Sequence, residues 1–200
     1  MNKILVCMWY DKEIEEYASV FRKVNEGYCR INNYNFFYSD KKYTDKPSPF
    51  NKVDMLRELL EKNEYDYYVW IDADAHFCRE TPLENYIENH IDKDFIWSGD
   101  ITPNINTGFF IVKNTQYSKN FLKLWSETDK TTTTDWWEQG VFTKMWIDND
   151  MDIREHSQCF RYGVLQHFKN QWHNLVYHMA GTSKNDRIQY SKSKLLQYLR

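Results

Sequence analysis

The sequence contains no apolar run approaching the roughly 18 residues that a membrane-spanning helix needs. It also shows no internal repeat, low-complexity tract or obvious linker, so its 200 residues are expected to form a single domain. After Met1 the chain runs straight into Ile4-Leu5-Val6, and no long apolar stretch with a cleavage site follows, which reads against a secretory signal. Cysteine is sparse: Cys7, Cys29, Cys78 and Cys159 lie far apart and match no metal-ligand spacing. They could form two disulfides, but buried free thiols are expected where no signal peptide is read. An excess of one charge is missing too. With 26 Lys and Arg against 29 Asp and Glu, the net charge of −3 speaks against bulk nucleic-acid binding. Together these absences point to a reducing, cytoplasmic compartment, with neither a membrane span nor a nucleic-acid partner.

Aromatic residues, by contrast, are abundant at 18%. Eight Trp and fifteen Tyr predict a well-filled core and a stacking surface for flat or ring-shaped ligands. Residues 3–9 read as a strand. Residues 12–25 carry Ile14, Tyr17, Phe21 and Val24 at helical spacing behind a candidate cap, Asp11. Residues 35–39 read as a second strand. Asn51 is a candidate cap for a helix with Val53, Leu56, Leu59 and Leu60 facing inward. A third strand, Tyr67-Tyr68-Val69-Trp70-Ile71, follows. This alternation predicts an α/β fold with a mixed, mostly parallel sheet flanked by crossover helices.

Further on, Thr81-Pro82 is expected to start a short helix and Phe95-Ile96-Trp97 to form a strand. Asn106-Thr107-Gly108 reads as a turn feeding the next strand. Helices are expected over residues 115–128, burying Phe121, Leu124 and Trp125, over 135–147, and over 186–199. The regular half, about 1–100, suits nucleotide binding. The mixed half, about 101–200, suits an acceptor.

The chemistry centres on the end of the third strand, where an apolar run stops in Asp72-Ala73-Asp74. The C-terminal edge of strands is where open α/β sheets bind ligands. Residues two apart on an extended chain point the same way, so both carboxylates can reach one site. A hard divalent cation would offset their desolvation, and it suggests a phosphorylated substrate.

Four features in order resemble a GT-A fold glycosyltransferase, in particular fungal galactosyl- and mannosyltransferases, plant xyloglucan xylosyltransferases and related domains of large DNA viruses. They are the lysine-bearing segment Asn51-Lys52-Val53-Asp54-Met55-Leu56-Arg57 before the Trp70-Ile71-Asp72-Ala73-Asp74-Ala75 strand; Asn106-Thr107-Gly108-Phe109-Phe110; Glu138-Gln139; and His178-Met179-Ala180-Gly181, with Lys184 shortly after. The match spans residues 50–185.

The resemblance implies a role for each residue. Asp74 would ligate Mn²⁺ or Mg²⁺, and Asp72 would contact the donor ribose or share the metal. His178 would be the third protein ligand; imidazole beside carboxylates suits Mn²⁺ better than Ca²⁺. The metal would bridge the diphosphate of a nucleotide sugar, most often UDP-linked, with Lys184 adding charge. Gly181 and Lys52 would sit near the nucleotide. Asn106 and Gly108 would lie beside the donor sugar and a glycan acceptor. Glu138 or Gln139 would lie beneath the anomeric carbon, either stabilising an oxocarbenium-like centre or acting as base, and these outcomes differ in stereochemistry. Asp135, close to that pair, reads as helix-start chemistry and is retained as a third candidate. Tyr10, Asp11, Ser39 and Asp40, after the first two strands, are candidates for holding the base. His76 is a candidate acceptor contact, whereas His167 and His173 read as structural. The relatives' N-terminal membrane anchor is missing, so either a cytoplasmic enzyme or a module of a longer chain is expected. Two other readings are open: a haloacid-dehalogenase-type phosphotransferase, which also pairs a strand with Asp-x-Asp, and a non-catalytic nucleotide- or glycan-binding module.

Overall fold

In the computed structural model, which describes residues 2–101, 105–128, 137–168 and 174–198, strict side-chain alternation organises the centre of the molecule. Strand β1 (Ile4–Trp9) sends Ile4, Val6 and Met8 to one face, and Leu5 and Cys7 to the other. Strand β3 (Tyr67–Ile71) divides Tyr67, Val69 and Ile71 from Tyr68 and Trp70 in the same way. All these positions are buried, because helices cover both faces of the sheet.

On the first face lie α1 (Glu15–Asn32), which contributes Tyr17, Phe21 and Tyr28, and α6 (Lys184–Tyr198), which packs Ile188 and Tyr190. The second face is covered by α2 (Asn51–Glu61), α4 (Gln116–Glu127) and α5 (Trp137–Asp148) through Leu56, Leu60, Phe121, Trp125 and Phe142. Helix α1 runs well beyond the expected stretch and stops where Asn33 turns left-handed, at φ 59°.

The six-stranded sheet has the order β2-β1-β3-β6-β5-β7, adding β2 (Asn35–Ser39), β5 (Phe95–Gly99), β6 (Ile105–Lys113) and β7 (Ser157–Phe160). β1 is parallel to β2 and β3, β5 is parallel to β7, and β6 runs antiparallel between β3 and β5. The sheet is therefore mixed, as expected. A smaller sheet, ordered β4-β9-β8, consists of β4 (Ala75–Phe77), β8 (Gln166–His167) and β9 (Val176–His178).

Several local expectations change. Asn51 is the first residue of α2, not its cap; its side chain accepts from Tyr43 N and donates to the Ser48 carbonyl, tying down the preceding loop. The helix after Pro82, α3, begins only at Glu84. Asn106-Thr107-Gly108 is not a turn but lies in the first part of β6, where Ile105 and Asn106 pair with Gly99 and Ser98 of β5 before a bulge shifts the register. Leu124 is half-exposed, and Leu122 takes its place in the core. The threonines at 131–134, Asp135 and His173 lie outside the described residues. The four cysteines are free, with Cys7 and Cys29 buried.

Candidate active site

Three strand ends meet at one edge of the large sheet. β3 leads into Asp72 and Asp74, whose tight turn is closed by Ala75 N donating to the Asp72 carbonyl at 3.0 Å. The two aspartates thus follow the strand instead of lying within it. β6 runs antiparallel to β3, so its N-terminal end, with Asn106, Thr107 and Gly108, lies against β3's C-terminal end. Asp72 N donates to the Gly108 carbonyl at 2.8 Å. β4 continues from the aspartate turn and pairs with β9, setting Ala75 opposite His178. That pairing brings His178 to the acidic turn from far along the chain.

Asp72, Asp74 and His178 each offer one ligand atom, and those atoms all lie within 4.8 Å of one another. Nδ1 of His178 donates to Gln166 Oε1 at 2.9 Å, which leaves Nε2 facing Asp74 Oδ1 at 3.2 Å and Asp72 Oδ2 at 3.8 Å. An imidazole lone pair aimed at two carboxylates is repulsive unless a proton or a cation lies between them. Burial opposes protonation of His178, yet Asp74 and then Asp72 raise its pKa. Burial pushes Asp74 upward, but His178 and Arg187 bring it down to about 2. Two carboxylate oxygens and an imidazole fixed from behind are a fitting donor set for a transition-metal dication such as Mn²⁺.

Gly108 makes room for this arrangement. A Cβ there would lie 2.1 Å from His178 Cε1 and 2.6 Å from its Nδ1. The imidazole thus occupies the space that a side chain at this position would fill.

Each aspartate has its other oxygen held by a cation. Lys52, from α2 on the second face, is 4% exposed, and its Nζ lies 2.9 Å from Asp72 Oδ1 and 2.8 Å from Glu138 Oε1. It also donates to the Thr107 carbonyl, while Trp70 Nε1 donates to the same Asp72 oxygen at 2.6 Å. Burial favours the neutral amine, but Asp72 and Glu138 outweigh it and raise the lysine pKa. On the other side, Arg187 of α6 holds Asp74 Oδ2 at 2.7 Å.

Glu138 and Gln139, in the first turn of α5, are fastened to β6: Thr107 Oγ1 donates to Glu138 Oε1, and Thr107 N to Gln139 Oε1, both at 3.1 Å. Asn106 accepts from Gly108 N at 2.8 Å.

Lys52, Asp72, Asp74, Asn106, Thr107, Glu138, Gln139, His178 and Arg187 line a cleft of about 1040 Å³, together with Trp9, Asp11, Asp100, Trp137, Phe168 and Gly181, whereas Gly108 lies behind His178 and is not part of the wall. Some expected residues lie elsewhere. Tyr10 is fully buried and packs on Tyr38, with ring centroids 4.3 Å apart, so its neighbours Trp9 and Asp11 line the cleft instead. Asp40 is exposed outside it. Lys184 is not in the cleft wall: its Nζ donates to the Glu13 carbonyl, and Arg187, one turn further on, supplies the cation. His76 is buried against Tyr190 and Phe21 and faces away from the cleft. Arg187 had no signal in the sequence, since an arginine in a polar helix is ordinarily solvated.

The architecture matches a solved structure described as that of a glycosyltransferase involved in the glycosylation of the major capsid of PBCV-1, at TM-score 0.76 over 96% of this chain and 99% of that one, with 20% identity. This defines the fold class, the mixed α/β architecture of a GT-A glycosyltransferase. The chain belongs to the family described as "Protein of unknown function, DUF273", whose model matches residues 25–162. Its relatives are named glycosyltransferases. Galactomannan galactosyltransferase 1 of Cyamopsis tetragonoloba is 29% identical over 115 residues, covering 52% of this chain and 26% of that protein. Xyloglucan 6-xylosyltransferase 4 of Arabidopsis thaliana is 30% identical over 129 residues, covering 58% and 25%. The match thus spans about a quarter of the length of these curated relatives. The resemblance read from the motifs is borne out at the level of family and fold.

Proposed function

We propose that this chain is a metal-dependent glycosyltransferase that moves a sugar from a nucleoside-diphosphate donor, UDP-linked in the first instance, to a hydroxyl of a glycan acceptor. The observation that carries this reading is the clustering of one ligand atom each from Asp72, Asp74 and His178 in a cleft that Glu138 and Gln139 also line. A bound Mn²⁺ or Mg²⁺ would supply a Lewis acid that neutralises charge on the departing diphosphate. The protein's own groups do the rest. Lys52 keeps Asp72 aimed at the ligand cluster and balances the buried Glu138 carboxylate. Thr107 holds Glu138 and Gln139 side by side, so that a carboxylate and an amide face the reacting sugar as a preformed pair. Trp9 and Asp11 offer a stacking and a hydrogen-bonding surface for the base. Trp137, 57% exposed, and Phe168 offer apolar surface to a sugar acceptor. A cytoplasmic place of action belongs to the same proposal.

Purified protein with Mn²⁺ should slowly hydrolyse its cognate sugar nucleotide without an acceptor, and Asp74→Ala should abolish that hydrolysis. A thermal-shift panel of UDP-, GDP- and dTDP-sugars, with and without Mn²⁺, identifies the donor, since a ligand that binds the native state raises apparent stability. Release of phosphate from simple monoesters would instead support the phosphotransferase. Tight UDP binding without turnover on any donor would support the binding module.

A further inference from the structure

Charge around the ligand cluster is nearly balanced before anything binds. The carboxylates of Asp72, Asp74 and Glu138 are met by Lys52 and Arg187, leaving one net negative charge beside His178. A divalent ion entering alone inverts that charge. Both Lys52 and Arg187 line the cleft, but Arg187 is the more open of the two cations, with its side chain 21% exposed against 5% for Lys52. Arg187 and the ion would share Asp74, with one carboxylate oxygen on the guanidinium and the other facing the cluster. Like charges that close repel, and the partly enclosed site weakens solvent screening.

The guanidinium is held in place from several sides. Its Nη2 donates to Asp74 and to the Met179 carbonyl at 3.2 Å, and it lies over the Tyr17 ring at 5.8 Å, but its Nε is enclosed without a hydrogen-bond partner among the described residues. What the cleft meets is the guanidinium itself, a fixed positive charge beside Asp74 on the cleft wall, and such a group is suited to an oxyanion.

We propose that Arg187 makes the divalent ion and the donor's diphosphate bind as a pair: it disfavours the ion alone and favours the diphosphate that arrives with it. A diphosphate bridging ion and guanidinium would place negative charge between two cations that otherwise repel, so each ligand strengthens the other. Arg187 would then take the role at the diphosphate that the resemblance assigned to Lys184. This inference rests on the nucleotide-sugar reading above and adds to it a coupling between the two ligands of the site.

The test is a binding cycle by calorimetry on the whole chain. Mn²⁺ is titrated with and without UDP in wild type, Arg187→Gln and Arg187→Lys, and thermal unfolding is followed to confirm that each variant is folded. The readout is the factor by which UDP tightens Mn²⁺ binding. We expect that factor to fall about tenfold in Arg187→Gln, with Mn²⁺ alone bound no more weakly than in wild type, and to fall less in Arg187→Lys, which keeps the charge but loses the fork. A fall of less than about threefold in Arg187→Gln, whether both affinities drop together or neither changes, overturns the proposal, since a purely structural role predicts one of those results. Wild type that binds neither Mn²⁺ nor UDP would overturn the glycosyltransferase reading instead, so the two failures are distinguishable.

Discussion

Gly108 shows how a single residue can be decisive for a reason invisible to local pattern. Asn-x-Gly suggested a turn, yet the glycine sits in a strand and is required because the His178 ring occupies the space of its missing side chain. Gly108→Ala must therefore displace the imidazole. The expected outcome is a stability loss of about 1–3 kcal/mol by denaturant unfolding, the usual cost of overpacking. Mn²⁺ affinity should fall about tenfold or more by calorimetry, as when a metal ligand loses its support. Unchanged Mn²⁺ binding would show that the ring is not held as a ligand. Tyr10 teaches the converse. Its place just past β1 made it a candidate for the nucleotide base, but the chain there turns it under Tyr38, and Trp9 faces the cleft.

Among elements, the short sheet β4-β9-β8 matters more than its size suggests. It carries His178 to the aspartate turn and, through buried Gln166 of β8, selects the ring tautomer by accepting from Nδ1. Gln166 also donates to the Asn106 carbonyl at 3.4 Å, linking the two sheets. Gln166→Leu should lower Mn²⁺ affinity about 10- to 100-fold while leaving the secondary structure intact by circular dichroism, because the ring loses its anchor but not its place in β9. An affinity equal to wild type would show that backbone pairing alone orients the histidine. The large strands were readable from their period-two, buried patterns. β8 and β9, of two and three residues, were not, since segments that short carry no periodic signal.

At the level of the whole molecule, His76 lies where α1, α6 and the small sheet meet. It stacks on Tyr190, its Nδ1 donates to the Phe77 carbonyl, and its Nε2 meets the Tyr190 hydroxyl. Burial depresses its pKa to about 4, helped by Lys194 and opposed by the Phe77 carbonyl. A base with a depressed folded pKa is neutral in the native state, while the unfolded chain takes up its proton below about 6.5. Stability is then lost as pH falls from about 6.5 towards 4, by roughly 3 kcal/mol on the low-pH side. His76→Gln, which cannot take the proton, should lose that much less than wild type when urea unfolding is compared at pH 7 and pH 4. Parallel pH profiles for the two proteins would refute this account. The fold as a whole was legible as α/β with a mixed sheet, because alternating strands and amphipathic helices are periodic over many residues. Two helix-end details slipped: the Asn51 side chain turns back to bind the loop before it, and the segment before α3 is held by the distant Tyr28 and Tyr34 hydroxyls.

Local sequence thus carried the sheet, its covering helices and the acidic strand end, since each depends on neighbours along the chain. The motif resemblance named His178 and Lys52 as well, but how they and Arg187 reach the aspartates was decided by the tertiary structure. Lys52 and Arg187 reach them from opposite faces of the sheet, and His178 reaches them through an antiparallel pairing. Such contacts depend on how the layers stack, and two charges brought together across a fold leave no trace in the spacing of residues along it.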